Sequence, residues 1–297
     1  MIAEGSFDYF DLTLEEPGIL VIRFNKPERL NGMRTGMKRD LVETVTQAQL
    51  DNRVRVVVFT GSGRAFCAGD DVTRDEQGNG NYRKAEASFM PTVNAGHDSP
   101  VGVIAGLHWI SQAVNTSVRK LDKLSIAAIN GVTIQTGLSL ALACDFRFCA
   151  QSARLGSATL RFGAQPDEGG HFLLVQTIGL PKTVDFLFRK RIVTADEALE
   201  LGLVHEVHED AVLMDKAMDL ARELAEGPQL AMRVLKRATY FAAEATLAQA
   251  FEDIAVRTGI SDGTPDVREG FAAFKEKRKP HYNKWIEDLL AGRGERH

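Results

Sequence analysis

The chain of 297 residues has no long apolar run. None approaches the roughly 20 residues that cross a bilayer, which excludes a helical membrane protein. Cysteine is scarce. Cys67, Cys144 and Cys149 form no CxxC pair, which argues against a disulfide framework or a zinc site and predicts buried free thiols. Charge of one sign is scarce too. A net charge of -4 offers no global attraction to nucleic acid or to an acidic membrane. The opening stretch MIAEGSFDYFDLTLEE lacks the basic and apolar segments of a signal peptide, so the expected location is the cytoplasm. Internal repeats and low-complexity tracts are absent as well.

What remains is an ordinary globular composition, 44% hydrophobic and 26% charged. The length suits one large domain or a domain with an appendage. Residues 7–24 contain two strand-like segments around Pro17-Gly18, a hairpin signal. Residues 25–32 read as a loop. Met37, Leu41, Val45 and Ala48 then recur at helical steps within 35–50. The β-branched run 54–60 predicts a strand buried on both faces of a parallel sheet. Strand, helix, buried strand is the order of an α/β architecture. Residues 61–71 form a glycine-bearing loop, and the polar stretch 73–98 reads as a lid that helps shape a ligand pocket. Val103, Leu107, Ile110, Val114 and Leu121 mark a helical stripe.

The stretch 125–170 organises the rest. A strand-length run at 125–129 meets a turn at Asn130-Gly131. Gly137 opens a helical run, 138–144, and a strand follows at 145–149. A long loop ends in Pro166-Asp167-Glu168-Gly169-Gly170. A strand feeding a glycine turn and a helix start leaves backbone N–H groups unpaired, and the helix dipole adds to them. Such a site binds an anion, or an oxygen that becomes anionic during a reaction. Beyond it, residues 172–178 read as helix stopped by Gly179 and Pro181. Thr194-Ala195-Asp196-Glu197 is a capping box for a short helix ending at Gly202. Residues 204–207 suit an edge strand. Helices are expected at 210–226, 228–243, 246–258 and 265–278, which puts a boundary near 207, with a core at 1–207 and a helical region at 208–297.

Six pieces in order resemble the crotonase superfamily, the enoyl-CoA hydratase/isomerase family: NKPERLN at 25–31, VRVVVFTGSGRAFCAGDDV at 54–72, LSIAAING at 124–131, LALACDFRFCAQSARLG at 140–156, TADEALELGLVHEV at 194–207 and EGFAAFKEKRKP at 269–280. The resemblance implies an α/β spiral of ββα units with a C-terminal helical oligomerisation region. It implies a homotrimer or a dimer of trimers, and a coenzyme A thioester as substrate. It implies neither a metal nor a redox cofactor. Two backbone N–H groups would hold the thioester oxygen when it becomes an enolate.

By match the first donor is Asp70. The second is Thr136, where the family usually reads glycine. A threonine does not easily take a glycine-only backbone conformation, so a collapsed loop is the competing expectation. The two hydratase glutamates match Ser139 and Thr159, whose hydroxyls cannot act as carboxylate bases near neutral pH. The segment 166–170 is similar to the PDxGG segment of relatives that shift double bonds. That makes Asp167 the candidate base, with Glu168 able to substitute. Capping of the following helix is the alternative role for Asp167. His171 is a minor candidate relay. The resemblance places the coenzyme A grip at Met33, Ala68, Phe274 and Lys277.

The expected reaction is double-bond isomerisation through an enolate. The alternatives are water addition or hydrolytic C–C cleavage of a cyclic acyl-CoA by Glu168 or Asp167, and a non-catalytic acyl-CoA-binding homologue.

Overall fold

The computed structural model describes residues 2–71 and 99–291. The polar stretch expected to act as a lid lies outside them. An antiparallel start, β1 (Gly5–Ser6), β2 (Phe10–Glu15) and β3 (Ile19–Phe24), leads to α1 (Thr35–Leu50). Two strands follow, β4 (Val56–Gly61) and β5 (Ala65–Cys67). Next come α2 (Pro100–Gly106), a π-helical turn at Leu107–Ser111, and α3 (Gln112–Lys120). Two more strand pairs each lead into a helix. β6 (Leu124–Ile129) and β7 (Val132–Ile134) precede α4 (Thr136–Ala143). β8 (Phe146–Ala150) and β9 (Arg154–Gly156) precede α5 (Gly170–Phe188). Then come β10 (Ile192–Thr194), α6 (Ala195–Leu201) and β11 (Glu206–His208).

Each strand pair puts one strand into each of two sheets. The wide sheet has the order β1-β2-β3-β4-β6-β8-β11, parallel from β3 onward. The small sheet has the order β10-β9-β7-β5, and its three strands β5, β7 and β9 run parallel. β4 (VVVFTG) is buried at every position, as a strand covered on both faces must be. The apolar stripe of α1 closes one side, and Phe24 meets Phe66 edge-on at 5.6 Å between the sheets. Each such side chain removed from water stabilises by roughly 1.5–3 kcal/mol. The three cysteines are free and buried, and burial pushes each thiol up to about 12.

Several elements depart from the expectation. β5 and β9 fall in segments expected to be loop, and no strand was expected at β7 or β10. The 172–178 helix breaks at Gly179 as expected, but a second helical piece then carries α5 on to Phe188. The Thr194 capping box and the Gly202 C-cap are both present.

The C-terminal helices are α7 (Leu213–Glu226), α8 (Gln229–Ala242), α9 (Leu247–Asp262), α10 (Pro265–Glu276) and α11 (Lys284–Leu290). α7 buries Leu213, Ala217, Met218, Ala221 and Ala225 in the same core as the wide sheet. α8 is anchored at Asp145, whose carboxylate accepts from Lys236 Nζ (2.7 Å) and Tyr240 OH (2.6 Å). α9 buries nothing. Among the described residues no helix is long and apolar enough to cross a membrane.

Candidate active site

The site stands on the ends of β5, β7 and β9. These parallel neighbours terminate side by side, so the residues that follow them come together. After β5 come Gly69 and Asp70, after β7 Gln135 and Thr136, after β9 Ser157. The Gln135 N–H donates to the Gly156 carbonyl (2.9 Å), tying the second exit to the third. Gly137 sits against the Cys67 carbonyl, where any Cβ would collide with it. This close approach brings the start of α4 up to the loop after β5.

The two expected N–H donors are thereby neighbours. Thr136 is the first residue of α4, where N–H groups lack intrahelical partners. Asp70 forms a parallel bridge with Met33, through Met33 N–H to the Gly69 carbonyl (2.8 Å) and Asp71 N–H to the Met33 carbonyl (3.0 Å). This pattern turns Asp70's own N–H away from Met33. The Thr136 hydroxyl donates to Asp70 Oδ1 (2.8 Å). Lys38 Nζ, buried, donates to Asp70 Oδ2 (2.8 Å) and to Ser111 Oγ (3.0 Å). A carboxylate beside an enolate would oppose it, and the lysine cation offsets that charge. Thr136 has helical backbone, so the expectation that it would carry glycine-like strain is corrected. The strained residue is Gln135, at φ 47 and ψ -105.

The acid/base groups form a second layer. Glu168 is only 3% exposed. Its Oε1 accepts from Ser139 Oγ (2.6 Å) and from Gln135 Nε2 (2.7 Å). Gln135 Oε1 in turn accepts from Ser157 Oγ (2.6 Å) and Thr159 Oγ1 (3.2 Å). Ser139 and Thr159, at the two hydratase glutamate positions, thus belong to one network that ends on a buried carboxyl supplied from residue 168. Gly170 leaves the room for it: a Cβ there would collide with Ser139 Oγ and come within 3.1 Å of Glu168 Oε1.

Asp167 borders solvent beside Glu168. It makes no capping bond to α5, whose N-cap is Gly169, so the capping role is set aside. Protein crowding raises its pKa first and the Asp70 charge second, while Lys38 and a hydrogen bond with Glu168 work the other way. Burial raises the Glu168 pKa most, and Asp167 adds to it. The hydrogen bonds from Ser139 and Gln135 oppose that rise. Two amides on one face of α3 clamp the pair's backbone: Gln112 Nε2 donates to the Asp167 carbonyl and Asn115 Nδ2 to the Glu168 carbonyl, both at 2.9 Å.

Other expected residues stand outside this cluster. His171 is exposed, with Nδ1 3.3 Å from the Pro166 carbonyl. The Met33 side chain is buried and its backbone N–H and C=O are both engaged by the 69–71 loop. It joins the loop at 30–33 to the loop at 69–71. Ala68 is half-buried and donates its N–H to the Leu30 carbonyl (3.0 Å). Phe274, 87% exposed, and Lys277, the C-cap residue, lie on α10. Among the described residues no hydrogen bond or ion pair joins α10 to the cluster. The residues that sequence reasoning missed are Lys38, Gln112, Asn115 and Ser157. Gln112 and Asn115 are spaced by three on a predicted helix, the one signal that put them on a common face.

The sequence model of the enoyl-CoA hydratase/isomerase family matches residues 15–113 and 105–285. The chain belongs to that family. It is 31% identical to the 1,2-epoxyphenylacetyl-CoA isomerase of Escherichia coli (strain K12), over 92% of this chain and 98% of that protein. It is 28% identical to the crotonyl-CoA hydratase of Syntrophomonas wolfei, with the same coverage of both chains. The crystal structure of an enoyl-CoA hydratase from Bacillus anthracis superposes with a TM-score of 0.81 at 28% identity, covering 93% of this chain and 99% of that one. The two-sheet spiral is therefore the crotonase fold. This enoyl-CoA hydratase/isomerase family member is an enzyme, and an acyl-CoA thioester is the substrate class consistent with its family.

Proposed function

We propose that this enzyme shifts a double bond within an acyl-CoA thioester, with Asp167 as the proton shuttle. The Asp167 carboxylate takes a proton from one carbon of the acyl chain. The electron pair moves onto the thioester oxygen, which the N–H groups of Asp70 and Thr136 stabilise. Asp167 returns the proton to a different carbon, the oxygen gives back its electrons, and the double bond has moved. One observation carries this reading. Asp167 and Glu168, both with raised pKa, stand beside Asp70 and Thr136 while both hydratase glutamate positions hold hydroxyls. A relative named as an isomerase supports it. The chemistry calls for no metal or redox cofactor, and the expected location is cytoplasmic.

A second reading rests on the Ser139–Glu168 hydrogen bond, which puts a carboxyl next to a hydratase glutamate position. Glu168 would then activate water for addition to the double bond or for hydrolytic C–C cleavage. One experiment separates the two. The enzyme is given 2-enoyl-, 3-enoyl- and dienoyl-CoA thioesters in heavy water. Isomerisation predicts deuterium at carbon with no water adduct. It also predicts a loss of about 10²–10⁴-fold in Asp167→Asn. Full isomerase rate in that variant would sink the proposal. A water adduct that vanishes in Glu168→Gln would favour hydration.

The coenzyme A grip by Phe274 and Lys277 requires that α10 lie near an active site, which a neighbouring subunit can supply. α9 exposes Leu247, Phe251, Val256 and Ile260, and α5 exposes Phe172, Leu180, Val184 and Phe188. Such apolar faces suit burial between copies in a homotrimer or a dimer of trimers, and sedimentation equilibrium reads the stoichiometry directly.

A further inference from the structure

The two residues proposed to supply the N–H donors are also joined through their side chains. Thr136 Oγ1 lies 2.8 Å from Asp70 Oδ1, across 66 positions of chain. Lys38 Nζ lies 2.8 Å from Asp70 Oδ2 and 3.0 Å from Ser111 Oγ. An ammonium only donates and an ionised carboxylate only accepts, so both bonds end on the Asp70 oxygens. One planar carboxylate therefore ties α4 through Thr136 and α1 through Lys38. Lys38 extends the tie through Ser111 to the π-helical turn before α3.

Fold stability does not call for a charged group here. Lys38 is buried on the face of α1 that carries Met37, Leu41, Val45 and Ala48. An apolar side chain of similar volume would fill that place as well, because a buried ion pair gains little over its desolvation cost. What an apolar contact lacks is direction. Asp71 Oδ2, next in the chain, accepts from Arg29 and Arg34 at 2.9 and 2.8 Å. Those bonds pin the loop after β5 to the 29–34 loop. Asp70 pins the same loop to the start of α4. The spacing between these two pinned backbones is the spacing between the two donors. A glycine at 136 would have no hydroxyl with which to make the tie.

We propose that the Asp70 carboxylate, held by Lys38 and Thr136, is a clamp that presets the distance between the two N–H donors, with Lys38 as a positioning residue. The clamp rests on reading the Asp70 and Thr136 N–H groups as those donors, and it serves isomerisation and hydration alike. Donors fixed before the reaction need no reorganisation when the enolate forms. Lys38 is the necessary third member, since without it an uncompensated carboxylate would stand beside the developing oxyanion.

The test reads the donors without turnover. Hexanoyl-CoA has no double bond to move, and an isotopic carbon label at its thioester isolates that carbonyl in difference infrared spectra. Hydrogen bonds to the oxygen shift the band to lower frequency. Thr136→Val keeps the shape and the backbone N–H and removes the hydroxyl, whereas Thr136→Ser retains it. Lys38→Met keeps length and replaces a buried cation with an apolar chain. The wild-type shift should shrink in Thr136→Val and Lys38→Met and persist in Thr136→Ser. With the best substrate of the thioester panel, Thr136→Val should lose about tenfold in kcat with KM nearly unchanged, less than the roughly 10²–10³-fold of a missing donor. Lys38→Met should lose more, and adding Asp70→Asn should restore part of that loss by removing the stranded charge. Wild-type shifts in both Thr136→Val and Lys38→Met would overturn the clamp. A larger shift in Thr136→Val would overturn it too, by showing that the bond closes the site. A bound wild-type complex with no shift at all would overturn the donor reading itself, and the clamp with it.

Discussion

Asp51 and Glu168 are both almost fully buried carboxyls, yet their surroundings oppose each other. Asp51, at the end of α1, accepts from Arg53 Nε and NH2 and from the N–H groups of Ile2 and Arg53. The hydrogen bonds from the Arg53 side chain hold its pKa well below the usual carboxylate range, against the pull of burial. Glu168 receives an amide and a hydroxyl and no cation, and burial wins. A buried acid that fastens loops is kept charged. A buried acid held only by neutral donors has its pKa raised by burial, as at sites of proton transfer. Burial alone tells neither from the other; the charge of the partners does.

Three substitutions would break or sharpen this contrast. The largest effect is expected for Asp51→Asn, which removes the charge but not the shape. Charge-assisted hydrogen bonds are lost, at about 2 kcal/mol near neutral pH. Asp51 has a depressed native pKa, so its contribution is present above the unfolded value of 3.8 and fades as pH falls through the native one. Denaturant titrations of the two proteins should converge in acid, and a constant gap would disprove the assignment. Glu168→Gln should show the opposite sign. The native pKa lies above the unfolded 4.5, so ionisation costs the wild type stability as pH rises past that point. The variant should be more stable by about 1 kcal/mol at pH 8 and equal to wild type near pH 4. A destabilised variant at pH 8 would show that the glutamate is a structural anion. The smallest change is Ser139→Ala, which deletes one donor to Oε1. Its cost of about 0.5 kcal/mol should grow with pH, because the lost hydroxyl bonds the ionised carboxyl more strongly. A pH-independent cost would mean that Ser139 only packs.

The wide sheet was legible because burial on both faces leaves a continuous record. The run 54–60 could be little else, and α1 shows its stripe at steps of three and four. The small sheet was not legible. β5, β7, β9 and β10 have three residues each, too short for an alternating pattern to separate them from loop. They exist because tertiary pairing overrides weak local preference. The site divides the same way. Asp70, Thr136 and Asp167 could be placed by their motifs. The bond from Ser139 to Glu168 spans 29 positions, and the tie from Lys38 to Asp70 spans 32. Neither leaves a local trace. The strain forecast for Thr136 fell on Gln135 because the helix begins one residue earlier than its glycine suggests.

The side-by-side endings of β5, β7 and β9 have an evolutionary consequence. Each ending delivers a different chemical part: a carboxylate tethered to a lysine, a helix start with an amide beside it, and a pair of hydroxyls. The parts sit at chain positions far apart, and each follows its strand rather than interrupting it. A change at one ending can therefore alter what the catalyst does while the wide sheet stays untouched. That modularity gives a physical route by which one scaffold can host both the isomerases and the hydratases found among its relatives.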